Sequence, residues 1–187
     1  MTNIKFTPAL ALGLVAALGT AAPALAANPM VGGAAMYETK NIVENAVNSA
    51  DHTTLVAAVK AAGLVETLQG PGPFTVFAPT NAAFQMLPAG TVETLLKPEN
   101  KAMLTKVLTA HVVAGDWTAA KIAQKARASS DGLANFTTVS GDALSAKVRN
   151  GMLYVYDESG TVGRVTIADV DQSNGVIHVV DHVLVPK

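Results

Sequence analysis

The sequence predicts an α+β domain, with helices gathered in the first part of the chain and antiparallel strands in the second. Three observations carry that reading. From Lys40 to His111 apolar residues recur with helical spacing. After Ser130 the pattern changes to short apolar runs separated by Ser140-Gly141-Asp142, Asn150-Gly151, Ser159-Gly160 and Asn174-Gly175. Asn-Gly pairs tolerate positive φ and so favour tight hairpin turns. Helices segregated from strands in this way argue against an alternating, all-parallel sheet.

Taken in order, Ile42, Val43, Ala46 and Val47 form one face of a short amphipathic helix. Asp51-His52-Thr53-Thr54 offers a cap to a second helix carrying Leu55, Val56, Val59 and Ala62, which Gly63 stops. Leu64, Val65 and Leu68 make a further turn, broken by Gly70-Pro71-Gly72-Pro73. Phe74 to Phe77 is an apolar strand ended by Pro79, and Thr80 or Asn81 caps the helix that holds Phe84 and Leu87. Thr91 to Leu96 reads as a short helix and Glu99 to His111 as the longest one, with Leu104, Val107, Leu108 and His111 on one stripe and Gly115 at its end. Thr118 to Ala128 is a polar surface helix or partly helical loop. Strands are expected at Phe136 to Val139, Ala143 to Val148, Met152 to Tyr156, Arg164 to Val170 and Val176 to Val185.

The first residues belong to a different kind of segment. Lys5, the uncharged run Ala9 to Leu18 and the A-x-A site Ala24-Leu25-Ala26 read as a signal peptide over residues 1–26. The run is shorter than the roughly 20 residues a membrane-spanning helix needs. Residues 27–37, small and aperiodic, are expected to be a flexible leader, followed by one domain over 38–187. The implied protein is exported, periplasmic or extracellular, and does not span a membrane.

Composition excludes several functions. The formal net charge is −1, and loss of Lys5 with the leader makes it one unit more negative. A near-neutral chain without a basic stripe is a poor nucleic-acid binder. Lys121, Lys125 and Arg127 share a helical face that reads as solvated. There is no cysteine, so thiol nucleophiles, cysteine-based zinc sites and disulfides are excluded, and burial alone must hold the fold.

No catalytic constellation emerges. The chain has no G-x-S-x-G elbow and no Walker lysine after Gly70 to Gly72. His178 and His182, four apart on an expected strand, stand about 13 Å from each other, too far to share one zinc ion, so no metal and no cofactor are expected. His111, on an apolar stripe, reads as a core histidine bonded to backbone. Asp169 and Asp171 sit near a strand end, where solvation and turn capping explain them. Trp117 and the three tyrosines are too scattered along the chain to suggest a stacking platform.

Two stretches carry a family resemblance. Pro73-Phe74-Thr75-Val76-Phe77-Ala78-Pro79-Thr80-Asn81-Ala82-Ala83-Phe84 and Gly175-Val176-Ile177-His178-Val179-Val180-Asp181-His182-Val183-Leu184-Val185-Pro186 resemble the two signature boxes of the fasciclin (FAS1) domain. Ala61-Ala62-Gly63-Leu64, Leu87-Pro88-Ala89-Gly90 and Leu108 to Gly115 extend the resemblance in the right order. It implies a twisted two-sheet β-wedge with surrounding helices and the two boxes side by side in the core. It also implies a non-enzymatic role in cell adhesion or binding to the extracellular matrix or cell surface, with a protein or polysaccharide partner. Adhesive members often carry Tyr-His where this chain has Ala110-His111, and Asp-Ile where it has Asp169-Val170. His111, Asp169 and Val170 are therefore the candidate partner-binding residues. Some similar secreted proteins are water-soluble carotenoid carriers, so a carrier of an apolar ligand is the alternative.

Export yields the first prediction. Intact-mass measurement of the protein from its native envelope or medium is expected to show cleavage after Ala26 or Ala27; a mass that retains the first 26 residues overturns it.

Overall fold

A computed structural model of the chain describes residues 28–186. The expected signal peptide and cleavage site lie outside the described residues. Nine strands and seven α-helices follow: β1 (Met30–Val31), β2 (Ala34–Ala35), α1 (Ile42–Ala46), α2 (Thr53–Ala62), α3 (Val65–Gln69), β3 (Phe74–Pro79), α4 (Asn81–Gln85), α5 (Thr91–Leu95), α6 (Lys101–Thr109), β4 (Val112–Ala114), α7 (Ala119–Ala128), β5 (Ala134–Thr137), β6 (Ala143–Arg149), β7 (Met152–Asp157), β8 (Val162–Gln172) and β9 (Gly175–Val180). That element count is of the described residues.

Local chemistry explains most boundaries. Asn41 and Glu44 form a reciprocal capping box at α1. Gly63, at φ 74°, ends α2 in the left-handed conformation that costs other residues most. Thr80 caps α4 through the Ala83 amide, which frees the neighbouring Asn81 for another task. The Asn81 Oδ1 accepts from the Thr54 amide at 3.0 Å, and its Nδ2 donates to the Ala50 carbonyl at 2.9 Å. One asparagine thus caps a helix 27 residues upstream.

Seven strands form one mixed sheet in the order β4-β3-β9-β8-β7-β6-β5. A lone bridge between Val113 and Thr138 ties its two edges together, so the sheet nearly closes into a barrel. The bend lies in β8. Its first residues pair with β7, its remainder pairs with β9, and the register slips twice between Val165 and Val170. This gives the wedge its two halves. β3 and β9 run parallel, with Val76 opposite Ile177 and Phe77 opposite His178. The two signature boxes do lie side by side.

That pair separates two cores. Val76, Ala78, Ile177 and Val179 face the helical layer, where they meet Leu55, Phe84 and Leu104. Phe77 and Val180 face the barrel, filled by Ile122 of α7 with Leu144, Val155 and Leu184. The glycine opening β9 is required by contact. A Cβ added at Gly175 would overlap the Phe74 carbonyl oxygen, and its φ of 150° is itself disfavoured for other residues.

Several expectations need correction. Residues 27–37 were expected to be a flexible leader; residues 30–35 instead form the β1–β2 hairpin, and Val31 and Met36 are buried in the helical core. Two-residue strands carry no readable period, so composition could not show this. The helix expected over Glu99 to His111 is a 3₁₀ turn at Pro98–Asn100 followed by nine α-helical residues. The unexpected β4 follows it, and Gly115 ends that strand rather than a helix. The last strand stops at Val180, not Val185. Asp181 accepts the Arg164 amide at 2.8 Å and the tail leaves the sheet, sending Val183 to one core and Leu184 to the other.

Phe77, 1% exposed, fills the barrel side of the shared wall. Phe77→Ala is expected to cost about 3–5 kcal/mol in a denaturant titration, the range for deleting a buried aromatic side chain. A loss below about 1 kcal/mol would contradict the packing described.

Candidate functional site

The three candidate residues occupy different environments. His111 is 2% exposed and Val170 fully buried, so neither presents a surface to a partner; Asp169 is exposed. The correction has a local cause. Asp169 has φ 56°, at the register slip in β8, so the bulge turns Asp169 outward and sends Val170 into the helical core. His111 lies past the end of α6, where the chain turns into β4.

His111 and Asp169 are nonetheless linked through the interior. The Phe77 amide donates to the His111 carbonyl at 2.9 Å. The Phe77 ring stacks on His178 at a centroid distance of 5.5 Å. The His178 Nδ1 accepts from the Asp169 amide at 3.3 Å, and its Nε2–H donates to the Trp117 carbonyl at 2.8 Å. Asp169 Oδ1 in turn accepts from the Ala119 amide at 2.7 Å, at the first turn of α7. This carboxylate anchors a helix start, where the helix dipole favours negative charge.

His111 and His178 are neutral, because one ring nitrogen of each accepts from a backbone N–H and the proton sits on the other. In His111, Nε2 accepts from the Leu184 amide and Nδ1–H donates to the Val107 carbonyl, both at 2.8 Å. Burial pulls its pKa down to about 4, against smaller opposing effects of the Val107 carbonyl and Asp157. Burial likewise lowers His178, opposed by the Trp117 carbonyl and by Asp169, Asp116 and Asp171. His52 is lowered by burial too, and its Nδ1 meets the Ser49 hydroxyl at 2.8 Å while Nε2 lacks a hydrogen bond. His182 is the partly exposed member, bonded through Nδ1 to Asp181 Oδ1 at 2.7 Å.

Around Asp169 the surface is acidic. Burial, then Glu38, Asp169 and Asp116, raise the Asp171 carboxyl above its ordinary range. Lys121 pairs with Asp116. Lys125 lies over the rings of Trp117 and Phe136 at 5.4 and 5.5 Å, and Trp117 meets Phe136 edge to face. The expected solvated face of α7 thus spends two of its cations on local partners.

Two apolar spaces bear on ligand binding. An interior cavity of about 80 Å³ lies between the helices and β3–β9, beside Ile42, Leu55, Val59, Phe74 and Ile177. It is far below the roughly 300–1,000 Å³ of typical ligand pockets. An open groove of about 550 Å³ runs between α5, α6 and the C-terminal tail, lined by Leu87, Leu95, Met103, Val107, Val183 and Val185. Met103 is 59% exposed. Among the described residues no helix is long and apolar enough to cross a membrane.

This architecture defines a domain of helices wrapped on a nearly closed mixed sheet, its histidines used as core braces. The profile of the Fasciclin domain matches residues 50–186, and the chain belongs to the fasciclin family. It is 51% identical over 157 residues to Protein sll1483 of Synechocystis sp., covering 84% of this chain and 79% of that protein. It is 32% identical over 200 residues to the cell surface glycolipoprotein MPB83 of Mycobacterium bovis, covering 96% of this chain and 83% of that one. The fold resembles a FAS1 domain pair from the insect cell adhesion molecule Fasciclin I, with a TM-score of 0.68 and 18% identity, over 78% of this chain and 50% of that one.

Burial of neutral histidines makes stability depend on pH. The unfolded chain takes up protons near pH 6.5, whereas folded His111 resists protonation until about pH 4. Its contribution is therefore complete above pH 6.5 and lost as pH falls toward 4, on the order of 3 kcal/mol for His111 alone. Urea titrations at pH 7.5 and 4.5 are expected to show this loss, and His111→Gln should be less stable at pH 7.5 yet lose less on acidification. Equal losses in both proteins would contradict the assignment.

Proposed function

We propose that this protein is an exported, non-enzymatic binding module that attaches cells to a surface or matrix component. The observation that carries the reading is how the histidines are used. His111 and His178, the side chains best suited to general acid–base work, have both ring nitrogens committed to backbone groups in the interior. A base with no free nitrogen and no access for substrate does not catalyse. Rigid sheet and helix surfaces remain, and these suit docking without conformational change. Membership of the fasciclin family, a relative named as a cell surface protein and a fold neighbour named as an adhesion molecule support the same reading. Asp169 is the exposed survivor of the candidate residues. Single contacts of this kind are weak, so several copies on one surface would act together.

A second reading rests on the groove beside Met103, whose apolar lining and volume fit part of an elongated apolar ligand such as a carotenoid. The interior cavity is too small for one.

Deleting the gene is expected to lower attachment or aggregation of the producing cells, with Asp169→Ala giving a partial loss. If attachment is unchanged and the purified protein absorbs visible light with stoichiometric pigment, the carrier reading replaces adhesion. Met103→Glu should then abolish pigment binding.

A further inference from the structure

We infer that the outer face of the β6–β7–β8 sheet is a binding site for an acidic, uronate-bearing polysaccharide; this deepens the adhesion reading and rests on it. Two of the three tyrosines share this face. Tyr154 and Tyr156 occupy alternate positions of β7, so their side chains leave the same face about 7 Å apart. Their inward neighbours Leu153 and Val155 are buried in the barrel, at 5% and 0% exposed. Lys147 of β6 and Arg164 of β8 stand opposite Tyr154 on its two sides; Ser145 and Val162 flank Tyr156 in the same way. At the near end, the tight turn at Asn150 and Gly151, both at positive φ, presents Arg149. Together Arg149, Asn150, Tyr154, Tyr156 and Val162 line an open depression of about 420 Å³.

The chemistry of this face selects its partner. Arg164 is paired with Asp181 at 3.4 Å, but Lys147 and Arg149 have no carboxylate partner among the described residues. The carboxylates that border the face are turned to other donors. Asp157 accepts from Ser159, Thr161 and the Val185 amide, and Glu158 accepts from the Ala143 amide. The face therefore presents two unpaired cations beside two aromatic rings, in a protein of net negative charge.

A pyranose ring offers a flat array of C–H groups that packs on an aromatic ring's electron-rich face, and a uronate carboxylate accepts two parallel bonds from a guanidinium. The tyrosine hydroxyls are available to sugar hydroxyls, since the contact of the Tyr154 oxygen is Met152 Sδ at 3.8 Å. Arg149 to Tyr156 spans about 13 Å along the strand direction, room for a short run of sugar rings. Two free cations would neutralise only about two phosphates, a weak and salt-sensitive hold on nucleic acid.

The test is affinity electrophoresis of the full exported chain through gels holding polygalacturonate, neutral dextran or duplex DNA. Retardation is expected in polygalacturonate alone. Tyr156→Ala and Arg149→Gln, each at a surface position, are expected to weaken it by about tenfold, the loss of one strong contact, with melting temperatures nearly unchanged. Tyr156→Phe should retain most of the binding. No retardation, equal retardation by dextran or DNA, or binding indifferent to Tyr156→Ala overturns the inference. Attachment assays separate it from the reading beneath it. If gene deletion abolishes attachment and the Tyr156→Ala, Arg149→Gln chain restores it fully, the polysaccharide site is wrong and adhesion stands. If the purified chain binds polygalacturonate while deletion leaves attachment intact, the site stands and adhesion is wrong.

Discussion

The parallel pairing of β3 with β9 is the constraint on which the rest of this structure depends. Each strand is covered on both faces, by helices on one side and by the barrel interior on the other. That is why both read as nearly unbroken apolar runs instead of alternating ones. It also explains the glycine that opens β9, where the Phe74 backbone comes too close for any side chain. Asn174, just before it, fastens three elements to this seam. Its Nδ2 donates to the Leu68 and Gly70 carbonyls, its Oδ1 accepts from the Ile42 amide, and its carbonyl accepts from the Phe74 amide.

Apart from His52 Nε2, the polar side chains buried near the seam are bonded in detail. Asn45, fully buried, exchanges two hydrogen bonds with the Tyr37 backbone and donates to Gln172, which donates onward to the Val170 carbonyl. His111 and His178 do the equivalent between elements: one joins α6 to the tail, the other joins the β8 bulge to the Trp117 loop. Such networks fix a unique arrangement when complete, and breaking one partner strands the other without water. His111 and His178 are structural fasteners.

Much of the fold was legible because its signals are local. Gly63, the Asn-Gly turns and the two boxes each state their conformation in a few residues. What was hidden depends on contacts distant in sequence. Val112 to Ala114 continues an apolar stripe and becomes a strand only because β3 offers an edge. Val183 and Leu184 are as apolar as the strand before them, and the turn at Asp181 is set by an amide on β8. At the site, the burial of His111 followed from its place on an apolar stripe. The burial of Val170 did not, because a bulge reverses the alternation without marking the sequence. The tyrosine pair is illegible for a simpler reason: alternate residues of one strand form a platform only where the strand's other face is buried, as Leu153 and Val155 are.

The distance between the paired strands also governs how this polypeptide comes into being. A ribosome releases Phe74 to Pro79 about a hundred residues before the strand that flanks it, and contacts of such separation form slowly. From the synthesis of β4 until that of β9 the early strand has a partner on one edge only. The seam therefore cannot close until β9 has been made, and until then an apolar strand edge stands exposed.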